Sequence, residues 1–156
     1  MKPAPAWLAL LGWIGLTFLA PAAGFRSMPD AWYAQLAKPA WNPPNWIFAP
    51  VWTSLYLAMA VAAWLVWRRG GWRENPKALS VYLIQLSANA LWSPLFFGRH
   101  QPLWALIDIA VLWLGVLVTL AAFARVSRPA AWLLAPYMAW VTFASALNFS
   151  LWQLNR

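Results

Sequence analysis

The sequence predicts an all-α integral membrane protein: a bundle of five transmembrane helices with a long loop between the first and second acting as a lid. Three observations predict it. Hydrophobic residues make up 63% of the 156 residues and charged residues 9%, with a mean hydropathy of +0.57. A soluble domain carries about a quarter charged residues, and the 3 acidic side chains present cannot solvate a globular surface. The apolar residues gather into five runs, each near the length of about 20 residues that crosses a hydrocarbon core. The basic residues sit between those runs, so a formal charge of +8 reads as a topology signal and not as a nucleic-acid face. This composition excludes a water-soluble enzyme and a disordered chain alike, and the length is that of a single domain, 1–156.

The first span covers about 6–25. Lys2 precedes it and the small residues Ala20, Ala22 and Ala23 around Pro21 close it, a pattern that also resembles a signal peptide. Gly12 and Gly15 would let this helix approach a neighbour closely. Residues 26–45 are the longest polar stretch, and Pro29, Pro39, Pro43 and Pro44 forbid a continuous helix there. Trp32, Tyr33, Leu36 and Trp41 give that stretch apolar anchors, which suits either an ordered lid or an interfacial connector; one short helix fits around Asp30 to Ala37. The second span, about 46–67, tolerates Pro50 in its first turns, where no N–H is needed. The third is about 77–97, with Pro94 as the expected kink; the fourth is about 103–124; the fifth, about 130–152, follows Pro129.

Lys2, Arg68, Arg69, Arg73, Lys77, Arg125 and Arg128 fall on one side of such a bundle, and Arg26, Lys38, Arg99 and Arg156 on the other. The excess places the N-terminus inside and the C-terminus outside, with residues 26–45 facing out; which membrane is left open.

Polar groups within spans need a partner or a cavity. Gln85, Asn89, Trp92 and Phe96 share one helical face, as do Trp140, Ala144 and Asn148; Trp52, Tyr56 and Met59 form a third stripe and Trp104 with Asp108 a fourth. Each amide alone serves as well as glue between helices, but amides and aromatic stripes together, under an aromatic lid, favour a pocket for a large flat apolar ligand. Asp108, the one acid within a span, reads either as a proton or cation site or as a group bonded near the interface to Arg99, His100 or a loop N–H. With no cysteine and one histidine, no metal site is expected. There is no paired-carboxylate arrangement, no G-x-S-x-G, no phosphate-binding glycine loop and no H-E-x-x-H. Of the 15 tryptophans, interface anchoring accounts for some but not for those placed mid-span.

A group of motifs in order carries a resemblance. These are Trp32, Tyr33, Leu36, Lys38, Pro39, Trp41, Asn42, Pro43, Pro44 and Trp46, then Pro50 to Thr53 with Leu55 and Tyr56. Gln85, Asn89, Trp92, Phe96 to Gly98, and Pro136, Tyr137, Trp140, Ala144, Leu147 and Asn148 complete them. Together they resemble the translocator protein and tryptophan-rich sensory protein (TspO/MBR, or peripheral-type benzodiazepine receptor) family, over nearly the whole chain. The resemblance implies a five-helix, commonly homodimeric receptor that binds protoporphyrin, haem and isoquinoline or benzodiazepine-type ligands, with tetrapyrrole transport or regulation as the outcome and no required cofactor. It implies a pocket of Tyr33, Trp52, Asn89, Trp92, Phe96, Trp104, Trp140, Ala144 and Leu147. It also implies that Trp52 and Trp140 would carry any light-dependent porphyrin breakdown, while a scaffold stabilised by its ligand is a third reading. Phe149 stands where the family's sterol motif has Tyr, and Arg156 is the only basic residue after it, so the pattern that would argue for sterol is not satisfied. On physical grounds indole faces suit a porphyrin plate, and Lys38 or Arg26 could meet its carboxylates. Ala78, Ser80, Ser87, Ala88 and Ala90 are the expected dimer face, or else pack within one subunit.

Overall fold

A computed structural model describes residues 6–24 and 26–156; Lys2 of the charge pattern and Phe25 at the end of the first expected span lie outside the described residues. The described residues form α1 (Ala6–Ala23), α2 (Ala31–Gln35), α3 (Phe48–Trp67), α4 (Gly71–Glu74), α5 (Pro76–Ser93), α6 (Pro102–Val126) and α7 (Arg128–Leu154), with no strand among them. Helices α1, α3, α6 and α7 are long and apolar enough to cross a membrane. The chain is thus an all-α membrane protein. Large apolar side chains such as Leu19, Ile84, Val111, Leu114 and Trp132 face outward, as lipid requires.

The breaks between helices have local causes. Gly70 and Gly71 take left-handed backbone (φ 106° and 61°) that other residues reach only under strain. Asn75 then donates its amide to the Arg69 carbonyl at 2.7 Å, closing the open end of α3. Proline opens α5, α6 and α7 in their first turns, where its missing N–H costs nothing. A single extended residue, Ser127, separates α6 from α7. Pro94 widens the end of α5 into a π-helical turn, Pro94–Gly98, in which the Arg99 N–H reaches back to the Pro94 carbonyl at 2.9 Å.

Packing closes α1, α3, α7, α6 and α5 into a ring in that order, since each touches the next and α5 returns to α1. The core down its centre is built from Met59, Ala62 and Val66 of α3, Leu79 and Tyr82 of α5, Leu112 and Val116 of α6, and Leu134, Tyr137 and Val141 of α7. One end of the ring carries the start of α1, the α3–α5 connection and the α6–α7 turn; there Trp64 donates its indole N–H to the Ala6 carbonyl at 2.9 Å. The other end carries residues 26–45, the α5–α6 turn and the C-terminus.

The small residues singled out in the sequence fall in different surroundings. A Cβ added at Gly12 or Gly15 meets nothing within 4 Å among the described residues, so no described helix packs closely on these glycines. The close approach is at Gly115, where an added Cβ would stand 2.8 Å from the Gln85 Cβ; α5 and α6 meet there. Of the α5 small residues, Ala78 and Ala88 are buried within the bundle, whereas Ser80 and Ser87 face outward.

Candidate functional site

The aromatic residues concentrate at the end of the ring that carries residues 26–45. Trp52 stacks on Tyr56 at 5.4 Å between centroids and meets Trp140 edge-on at 6.3 Å. Trp140 touches Phe48 (5.8 Å) and Phe143 (5.3 Å). On the α5 side Trp92 stacks on Phe96 at 5.1 Å, and Phe96 meets Tyr33 at 6.2 Å. Trp92 packs against both groups, so it joins them. The structure thus brings together Tyr33, Trp52, Asn89, Trp92, Phe96, Trp140, Ala144 and Leu147. It leaves out Trp104, which is 59% exposed on the outer side of α6. The stripe from Trp104 to Asp108 does not turn as one towards the interior.

These rings touch one another. The two cavities described among the described residues both lie at the far end of the bundle, the larger being about 430 Å³.

Below the aromatic layer runs a buried hydrogen-bond chain. The Tyr56 hydroxyl donates to Asn89 Oδ1 at 2.6 Å, Asn89 Nδ2 donates to the Tyr137 hydroxyl at 3.0 Å, and that hydroxyl donates to Gln85 Oε1 at 3.0 Å. It ties α3, α5 and α7 together where water cannot compete. The Trp92 indole donates to Asn148 Oδ1 at 2.9 Å, and Asn148 Nδ2 to the Pro102 carbonyl at 3.0 Å. Gln85, Asn89 and Asn148 therefore all serve as glue between helices. Reading the sequence placed the amides on inward faces but missed Tyr137 as their bridge, and missed the Thr17–Tyr82 pair (2.6 Å) altogether. The available signal was the spacing of Tyr82, Gln85 and Asn89, which share one face of α5.

Among the buried polar side-chain atoms, Trp140 Nε1, Gln85 Nε2, Asp108 Oδ2 and Asn42 Oδ1 have no hydrogen-bond partner among the described residues. Native structures leave few such atoms, and each calls for an explanation. The Trp140 ring belongs to the aromatic layer, in contact with Trp52.

Residues 26–45 are held down at several points. Asp30 caps α2 by accepting from the Tyr33 N–H (3.1 Å) and pairs with His100 Nε2 (2.9 Å), while the His100 ring stacks on Trp32 at 4.3 Å. The Tyr33 N–H first, and then the His100 ring, hold the Asp30 carboxyl below its ordinary range. Burial pushes the Tyr33 phenol above its ordinary value, so it stays a neutral group. Asn155 exchanges two hydrogen bonds with the Ala37 backbone, each 2.9 Å. Lys38 gives its ammonium to the carbonyls of Tyr33 (2.6 Å), Leu36 (3.2 Å) and Ala34 (3.3 Å) and lies over the Tyr33 ring. Lys38, one of the two expected carboxylate partners, here directs its donors to the local backbone. Arg26 is exposed. His100 and Asp108 are not partners either, because the left-handed backbone of His100 (φ 53°) accompanies a ring turned to Asp30.

The model of the TspO/MBR family matches residues 4–153. The chain belongs to the TspO/MBR family. It is 48% identical over 147 residues to the tryptophan-rich protein TspO of Chlorobaculum tepidum, covering 91% of this chain and 92% of that one. It is 42% identical over 161 residues to the translocator protein of Bos taurus (98% and 94% covered) and 44% identical over 145 residues to the tryptophan-rich sensory protein of Cereibacter sphaeroides (90% of each). For this TspO/MBR chain the match spans the aromatic layer, the hydrogen-bond chain and residues 26–45 alike.

Proposed function

We propose that the chain is a membrane sensor or receptor for flat aromatic ligands of the porphyrin class, protoporphyrin and haem, with isoquinoline-type compounds as competing ligands. Five helices span the membrane in this reading, with the N-terminus inside. Helix α5 is the fifth: its polar residues Gln85 and Asn89 lower its mean hydropathy but face inward and are bonded there. Residues 26–45 are the lid. The ligand inserts where Trp140 meets Trp52 and Phe48, and the lid anchors at Asp30 and Asn155 give way as it enters. The buried indole N–H of Trp140 carries this reading, because among the described residues this donor has no acceptor and its ring packs against Phe48, Trp52 and Phe143. A pyrrole nitrogen or a propionate oxygen would receive it, and the indole faces would stack on the macrocycle.

The test is quenching of tryptophan fluorescence by protoporphyrin, haem and an isoquinoline ligand, titrated into the purified chain in detergent. Trp140→Phe keeps an aromatic ring but removes the N–H donor and the fused pyrrole, and should weaken binding at least about tenfold, the worth of one hydrogen bond in a dry site. Unchanged affinity in both Trp140→Phe and Trp52→Phe would exclude this pocket.

The edge-to-face pair of Trp52 and Trp140, at 6.3 Å, favours a second reading in which these oxidisable rings donate an electron to a photoexcited porphyrin. Product formation under light by the purified chain, lost in both phenylalanine variants, separates degradation from binding alone.

A further inference from the structure

The end of the bundle opposite the aromatic layer carries a second feature. A cavity of about 230 Å³ opens there between the end of α3 and the α6–α7 turn, lined by Arg68, Arg69 and Ser127. Ser127 is 5% exposed, and its hydroxyl makes no hydrogen bond among the described residues. Neither arginine takes part in a described salt bridge; Arg68 is braced over the Trp64 ring at 4.8 Å. On the outer face of the same turn lies an apolar groove of about 430 Å³ between α6 and α7, walled by Leu120, Ala124 and Trp132, with Arg128 as its one charged residue. The two share the α6–α7 turn: Ser127 lines one and Arg128 the other. Arg73, Lys77 and Arg125 add positive charge at this end, against the single acid Glu74.

We propose that this end binds an anionic phospholipid, with the headgroup phosphate held by Arg68, Arg69 and the Ser127 hydroxyl and one acyl chain laid in the α6–α7 groove. Charge complementarity selects the occupant. Guanidinium groups with no ion pair among the described residues, beside the hydroxyl of Ser127, suit a phosphate, which arginine binds with two parallel N–H donors. An apolar groove ending at a further arginine suits a chain attached to that phosphate, and basic pockets between membrane helices are a known form of headgroup site. Trp132, 76% exposed at the groove wall, stands about one turn from Arg128 at the start of α7, near a helix end where indoles anchor to an interface. The site depends on the chain lying in a membrane but not on porphyrin binding.

The full-length chain in detergent is titrated with dioleoylphosphatidylglycerol, with dioleoylphosphatidylcholine and with inorganic phosphate alone. The readouts are bound lipid by native mass spectrometry and the unfolding midpoint. The phosphatidylglycerol should bind about tenfold tighter than the phosphatidylcholine, and inorganic phosphate should leave the midpoint unmoved. R68Q/R69Q should abolish the preference. A124F, which fills the groove from an exposed position, should weaken binding of both lipids. R73Q, whose residue lines neither cavity, should keep the preference. Equal binding of the two lipids, an equal shift from inorganic phosphate, or an equal loss in R73Q would each overturn the proposal; the last would mean diffuse surface charge. If R68Q/R69Q does not fold, A124F and the lipid comparison on the unaltered chain still decide. Fluorescence quenching by protoporphyrin should be the same in R68Q/R69Q as in the unaltered chain, so failure here is distinct from failure of the aromatic pocket.

Discussion

Replacing Asn89 with alanine should loosen three helices at once. Asn89 accepts from Tyr56 and donates to Tyr137, and both tyrosines are buried, at 7% and 0% exposure. Without the amide, the Tyr137 hydroxyl keeps Gln85 as its acceptor, but the Tyr56 hydroxyl is orphaned. A buried group left unpaired costs about 1–3 kcal/mol, and measured couplings between membrane helices run lower, about 0.6 on average and up to about 1.7. Together with the space left by the side chain, the loss for Asn89→Ala should be about 2 kcal/mol. For a chain of this size that lowers the unfolding midpoint by about 4–8 °C. The assay is thermal unfolding in detergent, followed by near-ultraviolet circular dichroism, on Asn89→Ala, Tyr56→Phe and the double variant. The cycle should show a coupling of about 1 kcal/mol. Additivity within about 0.3 kcal/mol would mean the two groups do not share a bond that matters, and the hydrogen-bond chain would not be what holds α3 to α5.

Glycine offers a contrast between two faces. Gly115→Ala should destabilise by about 1–3 kcal/mol because its methyl runs into Gln85, while Gly12→Ala and Gly15→Ala, with open space around them, should stabilise α1 by about 0.5–1 kcal/mol each; the same melts report it. Asp30→Ala should raise amide exchange across Ala31–Gln35 by removing both the cap and the His100 partner. Acid should do the same to the unaltered chain. A carboxyl held below its ordinary value of 3.8 stabilises the fold above that value, and the contribution is lost as pH falls through the lower folded value. Exchange measured at pH 6 and below about 3 checks the sign, within the stated linkage. Asn155→Ala should speed exchange at the Ala37 amide, since its acceptor is gone. Trp104→Ala should leave protoporphyrin quenching constants unchanged, in contrast to Trp140→Phe, because Trp104 points out of the bundle.

The amino-acid sequence determined the class of molecule. Few charges, long apolar runs and basic residues confined between them leave a membrane bundle as the only economical solution. Helical spacing was enough to put Gln85, Asn89 and Trp92 on one face, because 3.6 residues per turn is a property of the backbone and not of the neighbours. The spacing of Trp, Pro and Asn was enough to mark the family. What spacing cannot state is which helix a face meets. The order α1, α3, α7, α6, α5 around the ring decided that Asn89 sits between Tyr56 and Tyr137, that Trp104 looks outward although its stripe resembles the others, and that the aromatic rings close on each other. Local backbone decided the rest. Lys38 curls onto three carbonyls and His100 takes left-handed backbone beside Asp30, and neither choice is written in side-chain type. Long-range packing sets azimuth and partner, whereas a linear sequence carries only period and composition.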